Sequence, residues 1–474
     1  MIAAQTRFPP AATAALFALA LSTFVVDLRA ADTADTATLA RAILDELIAI
    51  DTTHENGSTK AAAALARRFR DAGFAAADVV EVAPADHPEQ GNLVVRLHGK
   101  GGAKPVLYIG HLDVVAAKRE DWTKDPFKLT EEDGWLYGRG TIDMKGQDAA
   151  VAANLIAMKR EGYVPDRDIV AAFTADEEAG GVANGVDFLL REHRDLVDAE
   201  LAINPDGGEA GMKKGRRLYI GLQTSEKVFH TFTLTATDKG GHSSRPTADN
   251  PIYRMSRALA RLADWRLPVH LTDTTRAYFA GRAGLESGQL QGDMRSAGGA
   301  APDAGALERL SKVVETNIVL RTTCTITEIQ GGHAENALPQ RVAATLQCRV
   351  IPGESLAELQ QRVVAALAEP GIEVSVRTQG TPSPDSPPSP SIVGKVESVT
   401  HALWPDVIVL PYMSAGATDS KYLRAAGIPA YGVDGMFDDL DDGRAHGRDE
   451  RIGVAAFAQE VEFTGRLMRA VAGK

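Results

Sequence analysis

Residues 106–113 read Val-Leu-Tyr-Ile-Gly-His-Leu-Asp: four apolar residues, then glycine, histidine and, two places on, an acid. An unbroken apolar run of this length suits a strand covered on both faces. Similar runs stand at 94–97, 169–173 and 201–203, and helical spacing fills 149–160 and 185–194 between or beside them. Two further helical stretches come first, 38–50 (Leu39, Ile43, Leu47, Ile50) and 61–72. This alternation predicts an α/β fold built on a mostly parallel sheet. In such folds the site lies outside the carboxyl ends of the strands, where His111 and Asp113 fall.

The character changes after Gly211. Residues 229–237 alternate like a half-exposed strand, and 252–265 and 356–367 have helical spacing. A separate α+β domain is expected over 213–380, with 266–303, rich in Gly, Ala and polar residues, as an insertion loop. The Pro/Ser-rich segment 382–390 (PSPDSPPSP) is expected to be extended rather than packed. Strand-like runs return at 407–410 and 428–433. The simplest organisation is one α/β catalytic domain in two parts, 31–212 and 381–474, interrupted by an inserted domain.

Residues 322–329 and 341–350 read as two strands of a hairpin centred on Asn336, which would set Cys324 opposite Cys348 and Ile326 opposite Leu346. These are the chain's two cysteines. Either a disulfide or two small buried thiols fits, and a zinc site built from cysteines does not.

Residues 1–30 stand apart: Arg7, an uncharged run over 11–26, then Asp27, Arg29 and Ala30-Ala31. This reads as a secretory signal, with an uncleaved anchor as the alternative; Leu28 makes the cleavage site a poor one. The expectation is a secreted or periplasmic protein with no stable membrane span after signal removal. The net charge of −12 argues against nucleic acid as a partner, since gripping phosphates needs a basic face.

Five segments place ligand-type residues at expected strand ends: Gly110–Asp113, Gly140–Gly146, Asp176–Glu178, Asn204–Gly208 and Ala445–Glu450. Singly each is weak, because a lone histidine or a pair of acids is usually a solvated loop. Together they suggest a site for two divalent ions. His111 can ligate, and Asp113, on the same side of an extended chain, can accept its other ring N–H. Asp143 is short enough to bridge two ions. One of Glu177 and Glu178 can ligate while the other takes a proton from water. Asp206 and His446 complete two sites, for which zinc is the first choice and Co²⁺ or Mn²⁺ possible.

With GHLDVV (110–115), YGRGTIDMKG (137–146) and DEE (176–178) in combination, the chain from about residue 40 onward resembles the M20 family of co-catalytic zinc metallopeptidases and amidohydrolases. Trp122 with Pro126-Phe127 is similar to the family's loop before the second motif. The resemblance implies His111, Asp143, Glu178, Asp206 and His446 as ligands, with Asp143 bridging. It implies Glu177 as general base and acid, Asp113 as orienter of His111, and a cis Asp143–Met144 peptide. The inserted domain then resembles the family's lid and dimerisation domain, making a homodimer the expected assembly. Gly240–Ser244 resembles the lid motif, whose histidine (His242 here) reaches a partner subunit's site. Asn336 and Arg349 resemble polar lid residues near the substrate carboxylate. The loop Ser414–Ser420, with Gly416 and Thr418, resembles the substrate loop, closest to the carboxypeptidase S-like subgroup. Asp449 departs from the asparagine common there, and 266–303 has no clear counterpart.

The activity so implied is hydrolysis of an amide bond beside a free carboxylate, in a small peptide or an N-acyl amino acid. An M28-like aminopeptidase and a catalytically dead binding module are the alternatives. The first would not need the inserted domain, and the second would have lost a ligand or the base.

Overall fold

The computed structural model describes residues 34–181 and 183–473. The expected signal segment, 1–30, lies outside the described residues. Among these, no helix is long and apolar enough to cross a membrane.

A ten-stranded sheet forms the centre. Its middle strands, Ile169–Thr174, Val106–His111, Leu201–Asn204 and Ala430–Gly432, lie side by side and parallel. Antiparallel neighbours Asn92–Leu97 and Arg216–Glu226 flank this parallel group. All six residues of Val106–His111 are buried. Successive side chains point to opposite faces, so Val106 and Tyr108 enter one core while Leu107 and Ile109 enter another. The first core is closed by helices 34–49, Thr59–Asp71, Lys145–Arg160 and Val454–Ala472. Gly185–Glu192 and Ser420–Ala425 close the second. Because these middle strands run parallel, their carboxyl ends share one edge.

The inserted domain is a four-stranded antiparallel sheet in the order Thr323–Gly331, Arg341–Val350, Val228–Thr237, Ile372–Gln379. Every second residue of one strand (Phe232, Leu234, Ala236) meets Leu346, Ala344 and Val342 of the next, under helices Pro251–Ala263 and Leu356–Leu367. The expected hairpin register is present: Cys324 opposes Cys348 and Ile326 opposes Leu346. The two cysteines form a disulfide. Closing a loop over a separation of 24 residues is worth about 3 kcal/mol. Replacing both cysteines with serine is therefore expected to lower the inserted domain's thermal transition, and non-reducing peptide mapping of the parent chain should recover the linked pair. Two free thiols would contradict it.

Three expectations are corrected. Arg216–Glu226 belongs to the large sheet, so the chain passes into the inserted domain at Lys227, not at 213. Its residues from Tyr219 to Glu226 are buried without alternation, as in a strand covered on both sides. Residues 266–303 are not a loop: helices Asp273–Arg282 and Gly288–Gly298, with Ala304–Leu310 and Val314–Leu320, enclose a core of Phe279, Met294, Ala297, Leu310 and Leu320. The small residues that read as loop are contact points. A Cβ on Gly281 would lie 2.3 Å from Leu410 Cδ2, where this helical unit packs on the large sheet. Finally, 382–390 is extended but packed. Ser383 donates to Glu226 and Ser386 Oγ accepts from Ala430 N, both serines being buried.

Candidate active site

The carboxyl edge of the middle strands collects the expected cluster. His111 ends its strand, Asp176–Glu178 follow the next, and Asp206 follows Leu201–Asn204. Asp143 lies in the turn before helix Lys145–Arg160, and His446 lies in the loop before Arg451–Gly453. One carboxylate joins two groups. Asp143 Oδ1 is 3.1 Å from His111 Nε2, and its Oδ2 is 2.9 Å from His446 Nε2. Asp206 Oδ1 stands 3.8 Å from His111 Nε2, and Glu178 Oε1 3.1 Å from His446 Nε2. The set therefore divides into His111, Asp206 and Asp143, and His446, Glu178 and Asp143. One ligand atom each from His111, Asp143 and Glu178 falls within 4.8 Å of the others, close enough to hold a metal ion.

The donor chemistry fits divalent metal. Among the described residues the ion pairs of Asp143, Glu178 and Asp206 are to these imidazoles alone, with no lysine or arginine. Three carboxylates and two imidazoles facing inward make a set that attracts cations. The imidazoles register this field. Asp143 and Glu178 raise His446 to about 10, and Asp143 and Asp206 raise His111 well above its usual value although burial opposes charge there. Burial, with Asp206 and Asp419 nearby, pushes the Glu177 carboxyl well above the ordinary range. A carboxyl shifted in this direction suits a proton-transfer role better than an ordinary surface glutamate.

The Asp113 carboxylate is farther from the His111 ring than a direct hydrogen bond requires. His111 Nδ1 lies 3.0 Å from the Asp113 backbone carbonyl but 3.8 Å from its carboxylate. The carboxylate instead accepts the backbone N–H groups of Glu177 (3.2 Å) and Glu178 (3.0 Å). It positions the glutamate pair, while its main chain orients the ring. Asp176, just before the pair, takes a left-handed backbone (φ 61°). Ala183 N–H (2.8 Å) and His54 Nδ1 (2.7 Å) hold its carboxylate. The Asp143–Met144 peptide is cis.

Two further residues of these segments, Arg139 and Glu450, organise the site. Glu450 is fully buried, and its Oε1 accepts N–H from Gly140 (3.1 Å), Ile142 (2.8 Å) and Asp143 (3.2 Å). Its Oε2 receives Arg139 Nη1 at 2.5 Å. Arg139 Nη2 donates to the carbonyls of His446 (3.2 Å) and Gly447 (3.1 Å), and its guanidinium lies 5.0 Å from the Trp122 ring centre. This buried pair thus ties the Asp143 turn to the His446 loop. Neither residue carries a signal of its own in sequence beyond motif membership. Asp449 takes φ 51°, a region that Asn and Asp tolerate alike, and holds Thr123. Its departure from asparagine leaves that backbone possible. In the loop Ser414–Ser420, Asp419 is buried beside Asn184 (2.6 Å) and raised to about 6 by that burial. The Lys421 ammonium is raised by Asp419 and Glu177 although burial opposes it.

The remaining expected site residues lie elsewhere. Thr418 is buried, with N–H and hydroxyl both donating to Glu226 (2.9 and 3.0 Å), so it braces the loop. Gly416 is exposed and its N–H donates to Ser414 Oγ. His242 and Asn336 come together in the inserted domain: His242 pairs with Ala337, and Ser243 N–H donates to the Asn336 carbonyl. Both are exposed, and the His242 ring bonds locally to Ser244. Arg349, half-buried over the Phe229 ring, lies at the other end of the strand Arg341–Val350, near the crossing at Lys227.

Comparison with known proteins agrees with this geometry. Residues 107–470 match the model of peptidase family M20/M25/M40. The chain is 27% identical over 385 residues to "Probable carboxypeptidase S-like 2" of Dictyostelium discoideum, covering 77% of this chain and 71% of that protein. It is also 27% identical over 380 residues to "N-fatty-acyl-amino acid synthase/hydrolase PM20D1" of Homo sapiens, covering 77% and 74%. In fold it resembles the M20 family metallo-carboxypeptidase Sso-CP2 from Sulfolobus solfataricus, with TM-score 0.67 at 17% identity over 91% of this chain and 98% of that one. The matched span contains all five cluster residues, and the chain belongs to peptidase family M20/M25/M40, as a hydrolase of its metallocarboxypeptidase and amidohydrolase kind.

Proposed function

We propose that the protein is an exported di-zinc hydrolase that cleaves an amide bond beside a free carboxylate, acting as a carboxypeptidase on peptides. The observation that carries the reading is the Asp143 carboxylate set between His111 and His446. His111, Asp206 and Asp143 would hold one ion, and His446, Glu178 and Asp143 the other; Co²⁺ or Mn²⁺ are the alternatives to zinc. When bound, such a pair supplies an activated water at neutral pH and Lewis-acid polarisation of the carbonyl. Glu177 takes the proton from the attacking water and delivers it to the leaving amine. Asp113 holds the glutamate pair in place for that transfer. Arg349 supplies a guanidinium for the substrate carboxylate, and Gly416 lies on the loop that receives it.

The inserted domain serves as lid and dimer contact. Arg341 to Arg349 spans eight residue steps, roughly 26 Å of extended chain. His242 and Asn336 at one end and Arg349 at the other are therefore too far apart to share one small substrate within a single chain. In a homodimer, His242 and Asn336 of one protomer serve the partner's site, His242 steadying the oxyanion.

N-acyl-amino-acid hydrolysis is the second reading, favoured by the equal similarity to a relative named for N-fatty-acyl amino acids. The family match is to M20/M25/M40, which leaves the M28-like aminopeptidase without support. The competent cluster likewise leaves no ground for a dead binding module. The test is a substrate screen: zinc-loaded protein with mixed peptides and N-acyl amino acids, with and without chelator, read by mass spectrometry. Chelator-sensitive loss of C-terminal residues is the expected result. Release of acyl groups alone would establish the second reading, and silence on both sets would sink the proposal.

A further inference from the structure

The segment Asp51-Thr52-Thr53-His54 lies outside every motif quoted above, yet it carries an imidazole to the residue that precedes the glutamate pair. His54 Nδ1 is 2.7 Å from Asp176 Oδ1; the histidine side chain is 56% exposed, and the aspartate side chain is fully buried. A carboxylate can only accept, so Nδ1 carries the proton and donates. Among the described residues each oxygen of Asp176 has one donor, His54 for Oδ1 and Ala183 N–H for Oδ2. Without His54, Oδ1 would be a buried acceptor with no partner.

The turn that holds the ring is itself fixed. Asp51 Oδ1 accepts the N–H (3.0 Å) and the hydroxyl (2.8 Å) of Thr53, and the Thr53 carbonyl accepts from Asn56 (2.8 Å) and Gly57 (3.0 Å). The Thr52 hydroxyl donates to the Leu112 carbonyl (2.7 Å), Val114 N–H donates to the Thr52 carbonyl (3.2 Å), and Gln90 Nε2 donates to the His54 carbonyl (3.0 Å). The turn is thus stitched to the chain just after the strand that carries His111. From there the His54 ring reaches the end of the neighbouring strand, Ile169–Thr174. Asp176 has φ 61° there, a conformation that a non-glycine residue keeps only where its surroundings hold it. Its carboxylate therefore fixes the backbone that leads into Glu177, while the Asp113 carboxylate holds the N–H groups of Glu177 and Glu178.

We propose that His54 is a positioning residue for the reaction: its Nδ1–H holds the Asp176 carboxylate, and through it the backbone that aims Glu177. His54 acts through Asp176 and not on the reacting atoms. The role rests on Glu177 as the general base proposed above. Aim matters to such a group, because a displacement of about 1 Å lowers the rate by about a hundredfold.

The test sets His54→Ala beside His54→Asn, whose side-chain amide can donate in place of Nδ1–H. On the full, zinc-saturated protein, amide hydrogen exchange over 175–183 is expected to quicken by about tenfold in His54→Ala and to stay at the parent rate in His54→Asn. With the best substrate from the screen, His54→Ala should lower kcat by about tenfold to a hundredfold and leave KM within about twofold of the parent. Metal per protomer should not change, and His54→Asn should restore most of kcat. In a Glu177→Gln background His54→Ala should cause no further loss, because the group it aims is gone. Either change without the other in His54→Ala, or neither, would overturn the proposal, as would an equal loss of kcat in the Glu177→Gln background. Failure of the underlying reading looks different. Glu177→Gln turning over like the parent would remove the base, and the role of His54 with it, whatever the exchange rates.

Discussion

Glu177→Gln is expected to lower turnover by about 10²–10⁴-fold, the usual worth of a positioned general base. Metal content should stay at the parent level. The variant keeps the shape of the side chain and the backbone N–H that Asp113 holds, so Glu178 and the rest of the cluster should not move. It removes only the capacity to take and return a proton. The two readings separate cleanly in one experiment: kcat on the best substrate from the screen, and metal per protomer by elemental analysis. Lost turnover with lost metal would make Glu177 a ligand. Turnover equal to the parent's would remove it from the mechanism.

Arg139→Met is expected to reduce stability by about 3–5 kcal/mol, because it leaves the buried Glu450 carboxylate without its cation. The effect reaches the site through a defined route. Glu450 holds three N–H groups of the turn that carries Asp143, and Arg139 holds the carbonyls of His446 and Gly447. The variant should therefore melt earlier and lose metal faster on dialysis against chelator. The double variant Arg139→Met, Glu450→Leu should recover part of the stability, since no unpaired charge remains, but not the metal retention. A single variant with unchanged melting and metal retention would show that the pair does not organise the site.

These two predictions mark different depths of reading. Glu177 was legible from its neighbours, because an Asp-Glu-Glu run after a buried strand already offers a ligand beside a base. The Arg139–Glu450 pair was not. Its members are 311 positions apart, and charge pairing across that distance leaves no local pattern. The same contrast holds for Asp113. Spacing put its side chain on the same side as His111, but the backbone carbonyl is nearer the ring, and which oxygen wins is a matter of tenths of an ångström.

The fold divides in the same way. Short-range periodicity determined the buried parallel strands, the carboxyl edge that carries chemistry, and the hairpin register that sets Cys324 against Cys348. Each is a property of residues close in sequence or of a fixed strand period. The helical nature of 266–303, the packed course of 382–390 and the crossing at Lys227 were decided by partners far along the chain. Glycine and alanine in 273–298 read as loop residues because their local propensity is all that a sequence displays. Gly281 is instead small because Leu410 presses on it, and Ser383 and Ser386 are buried because Glu226 accepts from the one and Ala430 donates to the other. Sequence alone therefore determined the chemistry present at the site. Tertiary structure decided which oxygen faces which nitrogen, since that depends on contacts that no local pattern encodes.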